Sequence, residues 1–222
     1  MELPDVTLAE ELLLLALDPA RGRTRCDARD LSYGLAAAAL ADLELSGRIV
    51  EHRGRISVTD PRPPADPLLA KVLVSLVSQD GGRASRGVRV QAWVRGAAPY
   101  VEEMCARRLA ERGAVRVEMR RVLRLFSTRR LPAGPLDWST PSRDRLDAAV
   151  RSGYPDRRSR LLGAFASATG LSDALYTGLD SRRIRREMRQ LAREEWPAYA
   201  VRCALEKQEA AAPRSPLALL GQ

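Results

Sequence analysis

The sequence predicts a mainly α protein: a single globular helical domain with a central helical bundle and two projecting β-hairpins. The segment Leu12 to Leu17 is apolar on every side, which a helix tolerates only when other elements surround it. A helix-like stretch that stops at a glycine and runs into alternating apolar and polar residues occurs twice, ending at Gly47 and at Gly113. With 45% hydrophobic residues among 222, the chain can bury a core without disulfides or metal.

Each element has its own local cause. Thr7-Leu8-Ala9-Glu10 is a capping box, in which hydroxyl and carboxylate satisfy orphan backbone donors, and it opens a first helix that runs to Leu17. An arginine-rich loop (Arg21, Arg23, Arg25) leads to a second helix from about Leu31 to Ser46, with Leu35, Ala39 and Leu43 in register and a stop at Gly47. Ala36 to Ala39 give it a small-residue face suited to close packing on the first helix. Residues 48–60 alternate about Arg53-Gly54 and predict a hairpin. Asp66 before Pro67 opens a helix with a Leu69, Val72, Leu73, Leu76 stripe that ends before Asp80-Gly81-Gly82. A further helix is expected near Val88 to include Trp93, and another from about Tyr100 to Arg112. The second hairpin is expected at 114–126, a loop through Leu131–Pro135 and Pro141, and helices at about 143–152, 157–168, 171–177, 181–195 and 198–209. The domain is thus 1–209, and 210–222 read as a flexible low-complexity tail.

The chemistry legible in the chain is that of binding. Lys and Arg number 37 against 28 Asp and Glu, a net charge of +9, so an anionic partner is expected: membrane surface, nucleic acid or acidic protein. Only Lys71 and Lys207 are lysines, a choice that fits the codon usage of a GC-rich, bacterial genome. No apolar run is long enough to span a bilayer and the start lacks the features of a signal peptide, which places the protein in the cytoplasm. Cys26, Cys105 and Cys203 are far apart and form no C-x-x-C pair, so reduced thiols are expected and no metal site. The one histidine, His52, falls at a hairpin turn, and no phosphate-cradling glycine motif or nucleophile elbow is present. The adjacent pairs Glu10/Glu11, Glu102/Glu103 and Glu194/Glu195 face different directions on a helix. No catalytic residue, cofactor or metal is therefore assigned, and the chain reads as a non-enzyme.

Arginines supply the candidate binding residues. At about 100° per residue, Arg182, Arg185, Arg186, Arg189 and Arg193 fall within an arc of roughly 100°, opposite Ile184, Met188 and Leu191. Each could contribute on the order of 1 kcal/mol at an anionic lipid surface, or neutralise a nucleic-acid phosphate. Arg25 and Arg29 join the set from the N-terminal loop. Arg108 lies within the apolar face of Val101, Met104, Cys105 and Leu109, where it needs either a carboxylate of this chain or an external anion.

The order of these elements resembles the Golgi phosphoprotein 3 (Vps74-like) family. The resemblance rests on Thr7-Leu-Ala-Glu-Glu-Leu-Leu-Leu-Leu-Ala-Leu-Asp18 and Tyr33-Gly-Leu-Ala-Ala-Ala-Ala-Leu-Ala-Asp-Leu-Glu-Leu-Ser-Gly-Arg-Ile49. Asp66-Pro-Leu-Leu69, Leu109-Ala-Glu-Arg-Gly113, Leu125-Phe-Ser-Thr-Arg-Arg-Leu-Pro132, Trp196 and Ala200-Val-Arg202 extend it to about residue 205. It implies a helical domain without catalytic activity that binds membranes through phosphatidylinositol 4-phosphate, using a Trp and three Arg, and that self-associates through the second hairpin, here 114–126. At the pocket positions this chain has Asp27, Ala36, Pro99 and Glu102. None of the four can hold a phosphate as an arginine does, and Glu102 repels one. The functional expectation is therefore a peripheral binder of anionic phospholipid at the inner face of the cell membrane, without specific recognition of that head group. The alternative is a winged-helix DNA-binding regulator, because helix, glycine and hairpin recur; its reading helix, 31–46, has no Arg, Lys, Asn or Gln to meet DNA, which makes nucleic acid the weaker partner.

Overall fold

The capping box forms as the sequence requires: Thr7 accepts from the Glu10 backbone N–H while the Glu10 carboxylate accepts from the Thr7 N–H, and α1 (Leu8–Ala16) follows. Every residue of α1 is buried, Glu10 and Glu11 included. The computed structural model describes residues 6–80, 87–122, 126–178 and 181–211. Among the described residues are nine helices and five short strands.

α2 (Ala28–Leu45) begins three residues earlier than the hydrophobic pattern indicates, because Asp27 is its N-cap and accepts from the N–H groups of Arg29 and Asp30. It ends as expected, with Gly47 at φ +69° and the Arg48 N–H returning to the Leu43 carbonyl. β1 (Ile49–His52) and β2 (Arg55–Val58) pair antiparallel around Arg53-Gly54, both at positive φ, the backbone that a two-residue hairpin loop needs. A third strand, β3 (Val88–Arg89), adds to β2, and with Ile49 and Ile56 buried this small sheet is anchored on the helices.

α3 (Pro67–Asp80) is capped by Asp66, which accepts from Leu68 and Leu69. The two helices expected around Trp93 and Tyr100 are one, α4 (Val90–Glu111), with Pro99 inside it. Pro99 lies on the exposed side, where the carbonyl left without its N–H partner can meet water, while Ala98 and Val101 keep the helix seated in the core. The second hairpin is β4 (Glu118–Val122) and β5 (Phe126–Arg130), so its return strand lies beyond the expected limits of 114–126. Val115 instead bridges to Ala133 at the hairpin base.

The remaining helices are α5 (Ser139–Ser152), α6 (Arg157–Ala168), α7 (Leu171–Leu175), α8 (Ser181–Glu194) and α9 (Trp196–Ala211). Pro141 sits in the first turn of α5, where its missing N–H has no helical acceptor to lose. α2 is the centre of the bundle: α1, α3, α4, α6 and α9 all pack on it, and Ala36–Ala39 are fully buried at these crossings. The tail expected from 210 falls almost wholly outside the described residues.

Candidate functional site

The arginine stripe is set by the phase of α8. Met188, Leu191 and Ala192 are buried against α6 and α9, so the opposite side of the helix faces solvent. Arg182, Arg186, Arg189 and Arg193 occupy that side, at i, i+4, i+7 and i+11, within an arc of about 60° and over a length of about 16 Å. All four are exposed and have no carboxylate partner among the described residues. Arg185, at the edge of the arc, is drawn to Asp173 of the short helix α7 at 3.3 Å. Arg183 pairs with Glu187, one turn on, at 3.1 Å. The stripe is thus four open guanidinium groups flanked by two closed ones.

Arg108 does not join it. Its guanidinium takes Asp66 in a bidentate grip at 2.6 and 2.7 Å and stands 3.3 Å from the fully buried Glu10, leaving it 13% exposed and without an arm for an external anion. Arg158 of α6 performs the equivalent task on the other side of α1, bonding Glu11 at 3.0 Å, Asp42 at 3.2 Å and the Val6 carbonyl at 2.7 Å. Burial pushes the Asp42 carboxyl up to about 7, against the pull of Arg158 and of the Leu8 N–H at 2.7 Å. These arginines neutralise carboxylates inside the protein.

The N-terminal loop contributes differently at each position. Arg25 donates to the Leu17 carbonyl at 3.2 Å, fastening the loop to the end of α1, while Arg21, Arg23 and Arg29 are exposed. The residues at the family's pocket positions offer no phosphate-binding donor side chain. Asp27 is spent on capping α2, Ala36 is fully buried, and Pro99 is exposed on α4. Glu102 lines a groove of about 460 Å³ with Arg23, Ala28, Arg129 and Arg130, and Arg129 is held there between Glu102, at 3.7 Å, and Glu103. Arg129 and Arg130 are not legible as site residues from the sequence, because the expected hairpin ends before them and nothing local shows that Arg129 meets Glu102 and Glu103 of α4 while Arg130 donates to the Arg21 carbonyl. On the hairpin itself, Val117 and Met119 are exposed apolar side chains.

Cys26, Cys105 and Cys203 are all free thiols, and burial raises Cys105 well above its ordinary value. Among the described residues no cluster of His, Cys, Asp or Glu could hold a metal ion. No described helix is long and apolar enough to cross a membrane.

Fold and surface together define a mainly helical, hairpin-bearing protein with an open arginine face on α8. The Golgi phosphoprotein 3 (GPP34) family matches residues 8–208, and the chain belongs to that family. No match was found among curated proteins.

Proposed function

We propose that this protein is a non-catalytic, peripheral binder of anionic phospholipid surfaces, acting at the inner face of the cell membrane and reading charge density. The observation that carries the reading is the α8 stripe, where Arg182, Arg186, Arg189 and Arg193 are exposed, unpaired among the described residues and aligned along one helix face. A single phosphoinositide head group needs a compact cluster of donors around one phosphate; a row of about 16 Å matches several singly charged lipids side by side. Of the three arginines in the groove at Glu102, Arg129 is already paired with two glutamates and Arg130 donates to the Arg21 carbonyl, which supports the same choice. The test is co-sedimentation with vesicles of graded phosphatidylglycerol content, comparing the native chain with Arg182, Arg186, Arg189 and Arg193 all replaced by Gln. Binding that ignores either the lipid charge or the replacement rejects the reading.

Self-association through the hairpin accompanies it, supported by the exposure of Val117 and Met119. Sizing over a range of concentrations should find Met119→Glu less associated than the native chain. The DNA-binding reading loses support because Leu31–Leu43, the body of its reading helix, is buried throughout and cannot enter a groove.

A further inference from the structure

We propose that the groove between the end of α5, α6 and α8 binds a neutral polyhydroxylated molecule, a sugar or sugar-like polyol, through the phenol of Tyr154. The groove is about 470 Å³ and has Tyr154 in its wall. Tyr154 is only 7% exposed, and its hydroxyl is buried without a hydrogen-bond partner among the described residues. A buried polar group left open is uncommon in a native fold and has a specific cause. Two features hold the phenol in place. Gly153 and Tyr154 follow α5 at φ +71° and +59°, a backbone that a residue as bulky as tyrosine rarely adopts. Gly163 of α6 leaves room for the ring, since a Cβ there would stand 2.6 Å from Tyr154 Cε1. The ring is thus fixed on α6 while its hydroxyl stays unengaged.

The surrounding groups select the class of ligand. Burial, and after it the Glu187 carboxylate of α8, raise the phenol above its ordinary value, so it remains a protonated donor. Glu187 acts on Tyr154 without accepting from it. A hydroxyl between the two accepts from the phenol and donates to the carboxylate; an ammonium has no acceptor for the first bond and a phosphate dianion no donor for the second. The rest of the wall repeats this mixture. Arg183 pairs with Glu187 at 3.1 Å, Arg160 with Glu194 at 2.7 Å, and Gln190 donates to Glu194 at 2.8 Å, with Arg151 exposed beside them. The two glutamates weigh against a free anion and the three arginines against a cation, whereas a ligand whose every hydroxyl both donates and accepts suits a wall of both kinds. The site does not rest on the reading of the α8 stripe: Arg183, Glu187, Gln190 and Glu194 lie about 100° around the helix from Arg182, Arg186, Arg189 and Arg193.

The probes are methyl α-glucoside, methyl α-mannoside and sorbitol, titrated against the full chain in saturation-transfer NMR. At least one should bind saturably in the millimolar range, and inorganic phosphate and methylammonium should not displace it. Tyr154→Phe removes the hydroxyl alone. In that variant binding should fall by about tenfold or more, while the melting temperature stays level or rises, because an unpaired buried group has been deleted. A lower melting temperature in Tyr154→Phe assigns the phenol to an internal water and overturns the proposal. So do silence of all three probes, binding indifferent to Tyr154→Phe, and displacement by phosphate or methylammonium. Uncharged phosphatidylcholine vesicles, with and without a glucosyl diacylglycerol, identify the source of the polyol. Binding that requires the glycolipid, is lost in Tyr154→Phe and survives replacement of Arg182, Arg186, Arg189 and Arg193 by Gln supports the proposal with a lipid head group as the ligand. Saturation by the soluble probes with no effect of the glycolipid supports it with a free sugar.

Discussion

A guanidinium that is 13% exposed is tolerated only when acceptors replace the water it has lost, and Arg108 finds them in Asp66 and Glu10. Arg108→Met should therefore lower stability by about 3–5 kcal/mol in urea unfolding, because it strands two carboxylates, while the folded fraction binds vesicles as before. Lipid binding lost at unchanged stability would return Arg108 to the site. Asp42 gives the matching pH effect. Its carboxyl titrates near 7 in the fold against 3.8 ordinarily, so between those values the folded state holds a proton that the unfolded chain has released. The stability this contributes is complete below the ordinary value and is lost as pH rises through about 7. Asp42→Asn, which keeps an acceptor for the Leu8 N–H, should gain on the native chain as pH rises through that window, by at most about 1.4 kcal/mol per pH unit. Urea unfolding at a series of pH values checks it, and parallel curves would refute it. From the sequence, Arg108 is visibly a charge on an apolar face, but its partner Asp66 lies 42 residues away and is chosen by how α3 meets α4. Local pattern holds no record of that crossing.

Among the elements, those whose ends carry their own chemistry were readable: the α1 capping box, the glycine stop of α2, the Asp66-Pro67 start of α3 and the Arg53-Gly54 turn. The misplaced limits follow from tertiary packing overriding local signals. Pro99 reads as a break, yet packing on both sides of it carries α4 through, and Asp27 reads as a pocket position although it caps α2. Gly34 makes the same point within a helix. It costs α2 about 1 kcal/mol of propensity relative to alanine, but a Cβ there would stand 2.4 Å from Thr169 Cγ2 and 3.2 Å from Leu12 Cδ2. Thr169 is fully buried and its hydroxyl is committed to the Phe165 carbonyl at 2.9 Å, so it cannot swing away cheaply. Gly34→Ala should thus lose about 1–2 kcal/mol net, where propensity alone forecasts a gain. Adding Thr169→Ser, which removes the clashing methyl, should restore most of the loss in the same unfolding assay.

At the scale of the whole molecule, the net charge of +9 is resolved into arginines with internal work and arginines without. Arg48, Arg108, Arg143, Arg157, Arg158 and Arg160 all bind carboxylates that tie one element to another or close a turn, and Arg143 also lies over the Tyr176 ring. The stripe on α8 is different in kind, since its four outward members have no such duty among the described residues. Its amphipathic phase was legible in the sequence; which of the five arginines stay open was not, because Asp173 reaches Arg185 from a separate helix. If each open arginine contributes about 1 kcal/mol at an anionic surface, replacing all four by Gln should weaken vesicle partitioning on the order of a thousandfold at low salt. Raising the ionic strength from about 0.01 to 0.15 M shortens the screening length from about 30 to 8 Å, so the native chain should lose most of that advantage while the Gln variant changes little. Vesicles matched in surface charge should bind equally whether the charge comes from phosphatidylglycerol or from phosphatidylinositol 4-phosphate. A marked preference for the phosphoinositide that survives both the Gln replacements and high salt would move recognition from α8 to the groove beside Glu102.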